Sequence, residues 1–229
     1  MLSGQQGLVK IKVLFWLVAL AHFTASVLSL TVVLAITKSL LMPLLAVMLA
    51  KGSSLNINNN RLLLMALLFS WAGDVLLLFT YKNELFFIAG LISFLCAHIM
   101  YIFYFANIKG PHPSLLKQRP WLVVAALLYV AAFVFLLYPN LGALRLPVMV
   151  YACVIITMLL YSLHAYRQLP QPTASLFVWG ASFFVLSDSL LAINKFYAPF
   201  PLAGVAIMLT YCLAQYGIIS GGIRRAHHT

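Results

Sequence analysis

The chain has 229 residues, of which 64% are hydrophobic and 7% are charged. Because soluble domains are about one-quarter charged, this composition excludes a soluble globular domain. It predicts an all-α protein that forms a single integral membrane domain over residues 1–229. The net charge of +11 does not indicate a nucleic-acid partner, since the basic residues lie almost entirely between apolar runs, where Lys and Arg determine membrane topology.

Eight runs of roughly 20 mostly apolar residues follow one another, each long enough to cross a bilayer as a helix. The predicted helices cover residues 11–30, 33–50, 61–80, 84–106, 121–138, 145–166, 173–196 and 201–221. Breaks rich in Gly, Pro and polar residues separate most of them. The first run is interpreted as an uncleaved helix, because its apolar core exceeds the roughly 7–15 residues of a signal peptide.

The distribution of basic residues predicts the orientation of these helices. With eight spans, both termini and the even-numbered loops share one side, which holds ten Lys and Arg residues. The other side holds four, namely Lys38, Lys82, Arg145 and Lys195. Since cytoplasmic loops carry an excess of Lys and Arg, we expect both termini in the cytoplasm.

Lysines near the outer ends of two predicted helices are candidate substrate-binding residues. Lys38 lies in ITKSLLMP of the second helix. Lys195 follows Asp188 by seven residues, hence on the same stripe of the seventh helix, two turns nearer the surface. Each could meet a phosphate group, whereas the alternative is a lysine that extends its ammonium to the interface and anchors its helix.

Two of the three acidic residues in the chain, Asp74 and Asp188, lie inside the third and seventh predicted helices. Asp74 follows Arg61 by thirteen residues and Asp188 follows Thr173 by fifteen, so both carboxylates are expected ~20 Å into the membrane. An ionised carboxylate there costs several kcal/mol unless it faces protein, water or a partner, which makes both acids functional candidates. The alternative is a structural role, in which a protonated Asp donates to a neighbouring helix.

The segments around the two aspartates align with each other. Setting FSWAGDVLLLFTYK over FFVLSDSLLAINKF pairs Phe69 with Phe183 and Gly73 with Ser187 at an offset of 114 residues, half of the chain. Such an offset indicates an internal repeat of four plus four helices. The alternative is a chance match between two Leu-rich helices.

The fourth and eighth helices supply further polar candidates. His98 and Tyr101 share one face of the fourth helix at i, i+3, and Tyr211 and Gln215 share one face of the eighth at i, i+4. A buried Gln needs hydrogen-bond partners, while a lone His in an apolar helix is more often a packing residue than a catalyst. Ser187 precedes Asp188 but points to a different helix face, so it is a supporting candidate.

Two carboxyl groups in a water-poor pocket can share one proton, so that one acts as an acid and the other as a base. This arrangement suits protonation of a substrate followed by stabilisation of a cation, as in glycoside hydrolysis. The sequence contains no G-x-S-x-G motif, which would indicate a serine nucleophile.

The sequence also gives little support for a metal site. The three cysteines lie in apolar runs and are not spaced as metal ligands, and two Asp with one His supply few ligands. Neither a metal nor another cofactor is therefore expected.

Four short motifs occur in order: GDVLLL in the third helix, G(x)3F(x)3H(x)2Y from Gly90 to Tyr101, SDSLLA in the seventh helix and YCLAQ in the eighth. Together they resemble the YhhN-like family, whose members are multi-pass lysoplasmalogenases. The resemblance spans nearly the whole chain, because the eight-helix layout agrees as well. The family pattern has Lys-Pro in the second helix, where this chain has Lys38 followed by Ser39, with the proline at Pro43.

The resemblance implies hydrolysis of the vinyl-ether bond of a lysoplasmalogen to a fatty aldehyde and glycerophosphoethanolamine or glycerophosphocholine. Asp74 and Asp188 would supply the acid and the carboxylate that stabilises an oxocarbenium ion, and His98 and Tyr101 would position water or tune the pair. The implied partners are a lysophospholipid and the lipid bilayer, and the expected location is a bacterial inner membrane.

The main alternative function is a proton-coupled or small-molecule transporter, because paired membrane acids and a repeat also occur in such proteins. Against it, the third and seventh helices contain no proline near their acids. A hydrolase of ester or amide bonds is a second alternative, but it usually needs a metal or an activated nucleophile.

Overall fold

A computed structural model describes residues 2–53 and 57–227. Within these ranges the regular structure is helical and no strand is present. The helices are α1 (Leu2–Val27), α2 (Thr31–Gly52), α3 (Ile57–Leu77), α4 (Leu85–Ala106), α5 (Leu115–Gln118), α6 (Trp121–Leu137), α7 (Arg145–Ala165), α8 (Thr173–Ala192) and α9 (Ala203–Ala226). A π-helical turn, Ile193–Tyr197, follows α8 directly.

Eight of these helices, α1–α4 and α6–α9, are long and apolar enough to cross a membrane, counting only the described residues. They correspond to the eight predicted spans, so the prediction of an all-α protein with eight spanning helices is confirmed. The short α5 lies between the fourth and fifth spans. The cytoplasmic position of both termini and the four-plus-four repeat stay predictions.

Several helix ends differ from the predicted ones, because hydropathy marks the apolar part of a helix and not the extent of its backbone hydrogen bonds. α1 begins at residue 2 rather than 11, and α9 continues to residue 226 rather than 221. α3 ends at Leu77 rather than at residue 80. There the Leu78 and Phe79 amides donate to carbonyls three residues back, over 3.1 and 3.0 Å, so the chain tightens into turns.

The connection between α1 and α2 depends on one left-handed residue. Ser29 has a φ of 56°, and the Leu30 amide donates to the Ala25 carbonyl over 2.9 Å. A left-handed residue with a hydrogen bond that reaches five residues back forms a Schellman cap, which ends a helix abruptly. This cap explains how two spans follow each other with so short a break.

The chain divides into two compact units. Unit 1 comprises Met1–Tyr101 and Ile218–Thr229, and unit 2 comprises Ile102–Gly217, so the boundaries fall within α4 and α9. In unit 1, α1 packs against α2, and α2 packs against α3. In unit 2, α7 packs against both α6 and α8. The single domain over residues 1–229 stays a prediction.

In unit 1, small residues allow α3 and α4 to approach closely. An added Cβ at Gly73 would lie 2.7 Å from the Phe94 ring, and one at Gly90 would lie 3.0 Å from Leu77. Small residues let the backbones of transmembrane helices come together in this way. The contact fixes the segment of α3 that carries Asp74.

In unit 2, α8 and α9 make a similar close contact. An added Cβ at Gly217 would lie 3.3 Å from the Cα atom of Gly180. Near the start of α8, the rings of Tyr104, Phe105 and Phe177 pack edge to face, with centroids 5.2–5.8 Å apart. Edge contacts of this kind suit the ring quadrupoles.

Candidate active site

Asp74 is the buried acid of unit 1. Its side chain is 3% exposed, and its Oδ1 atom lies 3.6 Å from the Nζ atom of Lys38 on α2, whose side chain is 16% exposed. A buried carboxylate is costly unless an opposite charge compensates it, and Lys38 supplies that charge. The structure thus brings two predicted site residues together. The predicted contact of Lys38 with a substrate phosphate stays a prediction.

Pro43 changes the hydrogen bonding of α2 beside Lys38. Because proline has no amide hydrogen, the Ser39 carbonyl four residues earlier lacks its usual helical donor. The Nε1 atom of Trp71 on α3 donates to this carbonyl over 3.0 Å. Trp71 lies three residues before Asp74, and Ser39 follows Lys38 directly. This hydrogen bond therefore holds α2 against α3 at the level of the ion pair.

His22 and Thr37 form a polar contact next to Lys38. The Nδ1 atom of His22 lies 2.9 Å from the Thr37 hydroxyl oxygen, and both residues are buried. The Thr37 hydroxyl donates its single hydrogen within its own helix, to the Val33 carbonyl over 2.6 Å. It therefore accepts from His22, whose proton resides on Nδ1. This contact ties α1 to α2 where Lys38 emerges.

His98 and Tyr101 are both fully buried on α4. His98 follows Phe94 by one turn, and the Phe94 ring is the group that packs over Gly73. Both side chains thus lie in the protein interior rather than toward lipid. Their roles in positioning water or tuning the carboxylates stay predictions.

Asp188 is the acid of unit 2, and it accepts a hydrogen bond from Tyr151 of α7. The Tyr151 hydroxyl oxygen lies 2.5 Å from Oδ2 of Asp188. One residue further on, Ser189 donates to the Val185 carbonyl over 2.6 Å, so it accepts from the Tyr129 hydroxyl of α6, also over 2.6 Å. Tyrosines from α6 and α7 therefore fix the part of α8 that carries Asp188.

The other predicted site residues of unit 2 on α8 and α9 are Ser187, Tyr211 and Gln215. The Ser187 hydroxyl donates to the Ile207 carbonyl over 3.0 Å, which ties α8 to α9. The Tyr211 ring packs edge to face on Phe184, with centroids 5.5 Å apart, and Gln215 is fully buried. Supporting roles of Ser187, Tyr211 and Gln215 toward a substrate stay predictions.

Lys195 lies beyond the regular part of α8. The predicted helix over 173–196 is α-helical only to Ala192, and Lys195 belongs to the π-helical turn. A π turn closes its hydrogen bonds over five residues instead of four, so a seven-residue spacing no longer places Lys195 on the same stripe as Asp188. Its side chain is exposed. Contact of Lys195 with a phosphate stays a prediction.

Each unit thus offers one carboxyl group with a defined partner, an ammonium for Asp74 and a phenol for Asp188. Carboxyl groups in protein interiors can transfer protons and stabilise positive charge. Among the side chains of the described residues, no group of three or more His, Cys, Asp and Glu could hold a metal ion. The matching depth of the two carboxylates in the membrane stays a prediction.

The model of the YhhN family matches residues 33–222, which include Lys38, Asp74 and Asp188. The chain belongs to the YhhN family. It is similar to a human protein named lysoplasmalogenase TMEM86B, with 32% identity over 165 residues, 72% of this chain and 64% of that protein. It is also similar to human lysoplasmalogenase TMEM86A, with 34% identity over 157 residues, 65% of this chain and 60% of that protein.

This YhhN-family chain spans about three fifths of the length of the curated relatives it matches. A further relative, pig lysoplasmalogenase TMEM86B, is 33% identical over 150 residues, 66% of this chain and 58% of that protein. No solved structure matches the chain. The family membership that the four motifs indicate is therefore confirmed by the family match and by these relatives.

Sequence patterns did not single out Tyr151, Trp71 or His22 in this YhhN-family chain. Tyr151 is one of eleven tyrosines, and no helical spacing links it to Asp188 on the next helix. A signal for Trp71 did exist, because a proline inside a membrane helix frees a carbonyl that needs a donor. A tryptophan one turn before the buried acid of the next helix is a suitable donor.

Proposed function

We propose that this YhhN-family chain is a lysoplasmalogenase, a hydrolase that cleaves the vinyl-ether bond of a lysoplasmalogen. The products would be a fatty aldehyde and glycerophosphoethanolamine or glycerophosphocholine. Relatives named lysoplasmalogenase support this activity, and eight apolar helices among the described residues suit a lipid substrate. The observation that carries the proposal is Asp74, a carboxylate that is 3% exposed and compensated by Lys38.

The reaction requires one proton transfer to carbon and one addition of water. An acid protonates the alkene carbon remote from the ether oxygen, and the electron pair of the double bond forms the new C–H bond. The adjacent carbon becomes an oxocarbenium ion, which water attacks to give a hemiacetal after losing a proton. The hemiacetal then breaks its bond to the glycerol oxygen, which takes up a proton, and the aldehyde is released.

We assign the proton donor to Asp188 and the stabilising carboxylate to Asp74. The Lys38 ammonium compensates the charge on Asp74, which supports a carboxylate at that position. The Tyr151 hydroxyl donates to Asp188, and such a bond strengthens as the carboxyl loses its proton. Tyr151 would therefore stabilise the transition state of proton transfer more than the ground state, which is the condition for faster turnover.

Asp74 and Asp188 belong to different compact units, so their cooperation is inferred from chemistry. Protonation creates a cation, and a cation in a water-poor environment needs a negative charge. The chain has three acidic residues in total, and the third, Glu84, is exposed and precedes α4. The two membrane aspartates are therefore the carboxyl groups that suit the two roles.

Aldehyde release tests the proposed function. Purified protein in detergent should convert a lysoplasmalogen to free aldehyde, both without added metal and with EDTA. Loss of turnover in EDTA would contradict the two-carboxylate mechanism. An ester-linked lysophospholipid of equal chain length is the matched control substrate, and its cleavage at the same rate would contradict vinyl-ether specificity.

The alternative function of a transporter is tested with the same preparation. Absence of turnover together with exchange of labelled lysophospholipid across liposomes would favour a carrier. Many secondary transporters interrupt their helices at the binding site, whereas α3 and α8 continue as regular helices past Asp74 and Asp188. The regular helical structure at both aspartates therefore supports the hydrolase.

We also propose that the protein resides in a bacterial inner membrane with both termini in the cytoplasm. The ten-to-four bias of basic residues supports the orientation. The relatives named above are human and pig proteins. Fractionation of a bacterial host, with cysteine labelling at either terminus, tests location and orientation together.

A further inference from the structure

A groove of about 570 Å³ lies in unit 2 at the ends of three spanning segments. Its lining includes Arg119 and Gln118 from the α5 segment, Arg167 from the end of α7, and Ser175 and Trp179 from the start of α8. Leu163 and Val178 add apolar walls. One surface thus combines two guanidinium groups with an apolar wall and an exposed indole.

The groove is formed by ordered contacts between its walls. The Arg167 guanidinium donates to the Gln118 side-chain oxygen. The next residue, Gln168, donates from its side chain to the His112 carbonyl over 2.5 Å. The Ser114 hydroxyl accepts from the Leu116 amide over 3.2 Å and caps α5. The segment between α4 and α6 is therefore held against the end of α7.

No acidic residue is among the described residues that line this groove. All three acids lie elsewhere in the sequence, at Asp74, Glu84 and Asp188, and none of them lines the groove. Arg167 meets a neutral amide. Two guanidinium groups in this setting are complementary to a phosphate, which arginine binds through paired N–H donors.

The position of the groove indicates a lipid rather than a free anion. Arg119 precedes the span Trp121–Asn140, Arg167 lies at the end of the span Gly142–Gln168, and Ser175 lies near the start of the span Thr173–Tyr197. The guanidinium groups are therefore expected at the level of the bilayer phosphates. Trp179 is 64% exposed, and indole rings favour this level of a membrane.

We propose that this groove binds an anionic glycerophospholipid of the surrounding leaflet. Arg119 and Arg167 contact the phosphodiester, and the acyl chains lie along Leu163, Val178 and Trp179. A zwitterionic head group fits less well, because its ammonium would meet two guanidinium groups and no carboxylate. Lys38, Asp74, Tyr151 and Asp188 are not among the residues that line the groove, and the proposed binding does not depend on the proposed hydrolysis.

The test uses the full-length protein in a neutral detergent, titrated with phosphatidylglycerol or phosphatidylcholine and measured by native mass spectrometry. Wild-type protein should retain phosphatidylglycerol at least about tenfold more tightly than phosphatidylcholine. Arg119→Gln with Arg167→Gln should weaken phosphatidylglycerol binding roughly tenfold or more, since both guanidinium groups that attract the anionic lipid are then lost. Arg224→Gln removes an exposed arginine outside the groove and should change binding less than about twofold.

Gln118→Glu provides a second variant that keeps every arginine. It is nearly isosteric, retains an acceptor for Arg167 and places a carboxylate in the groove, so it should also weaken phosphatidylglycerol binding, by roughly fivefold. Equal effects of Gln118→Glu and Arg224→Gln would overturn the site. Inorganic phosphate that competes with phosphatidylglycerol at equal affinity would overturn the lipid as its ligand, as would equal retention of the two lipids.

Discussion

The Nζ atom of Lys38 and the Oδ1 atom of Asp74 lie 3.6 Å apart between α2 and α3, with the carboxylate 3% exposed. The pair is asymmetric, because the lysine reaches partly toward the surface while the aspartate is enclosed. Removing the lysine leaves a buried negative charge, whereas neutralising the aspartate leaves a lysine that can extend its ammonium outward. The two changes should therefore have different effects on stability.

Asp74→Asn should lower turnover about 100-fold or more and leave the melting temperature nearly unchanged, because Asn keeps the shape and removes a buried charge. Lys38→Met should lower the melting temperature by about 5 °C or more, because Asp74 then lacks its counter-charge. Aldehyde release measures turnover, and thermal unfolding in detergent measures the melting temperature.

Glu84→Gln, at the exposed third acid, is the control, and its turnover and melting temperature should match those of the wild type. Wild-type turnover in Asp74→Asn would leave that carboxylate only a structural role.

Tyr151→Phe should lower kcat roughly tenfold with little change in KM, because the lost hydrogen bond to Asp188 strengthens only as the proton leaves. Tyr129→Phe is a matched control, since its hydroxyl contacts Ser189, one residue away, over a similar 2.6 Å. It should retain turnover within about threefold. Steady-state kinetics give kcat and KM for both variants and allow them to be compared with the wild type. Equal losses in the two variants would mean that Tyr151 only supports the packing of α8.

The double variant Asp74→Asn with Asp188→Asn tests whether the two carboxylates serve one reaction. Groups that act as a unit show strongly non-additive losses, so the double variant should be within about threefold of the slower single variant. If the two carboxylates had independent roles, the fold loss of turnover in the double variant would be the product of the losses in the two single variants. Single-turnover aldehyde release, with enzyme in excess, measures all four proteins. A multiplicative loss would contradict a shared mechanism.

The eight-helix fold and the burial of Asp74 could be predicted from the sequence, because their signals are strong and local. Eight apolar runs determine eight helices, and a carboxylate inside such a run, as at Asp74, stands out against its neighbours. Partners across helices could not be predicted in the same way. Tyr151 and Asp188 meet because α7 packs on α8, and the rotation of each helix about its axis is not encoded in hydropathy.

Because hydropathy does not encode local helix geometry, it also could not predict where Lys195 lies relative to Asp188. Its spacing from Asp188 predicts a shared stripe only if α8 keeps its regular period, and the π turn from Ile193 breaks that period. Hydropathy is insensitive to such a change. Lys38, by contrast, was expected to meet a substrate phosphate, while the contact that the structure shows is with Asp74.

Lys195→Ala should raise KM for a lysoplasmalogen about three- to tenfold with little change in kcat, because a phosphate contact is the same in the ground state and the transition state. Lys82→Ala is the control. Lys82 is another exposed lysine on the same predicted side, and it lies over the Phe79 ring, 5.3 Å from its centroid. Kinetics across a range of substrate concentrations separate kcat from KM. An unchanged KM in Lys195→Ala would restrict Lys195 to anchoring its helix.

The hydrogen bond between Trp71 and the Ser39 carbonyl can be tested through Pro43, because this proline deprives the carbonyl of its usual helical donor. Trp71→Phe removes the indole donor and leaves the carbonyl without a partner in a region that lacks water, at a cost of about 1–3 kcal/mol. Pro43→Ala supplies a backbone amide at position 43, which can donate to the same carbonyl as in a regular helix. Trp71→Phe should therefore lower the melting temperature by several degrees in the Pro43 background and by clearly less in the Pro43→Ala background.

This double-mutant cycle separates the hydrogen bond from ring packing, because both backgrounds lose the same part of the indole. Aldehyde release measured on the four proteins then reports on the ion pair. If the bond holds α2 and α3 at the level of Lys38 and Asp74, turnover should fall with the Trp71→Phe change and recover when Pro43→Ala is added. A loss of turnover that is equal in both backgrounds would show that Trp71 acts through its ring, and the carbonyl contact would then have no role in positioning Lys38.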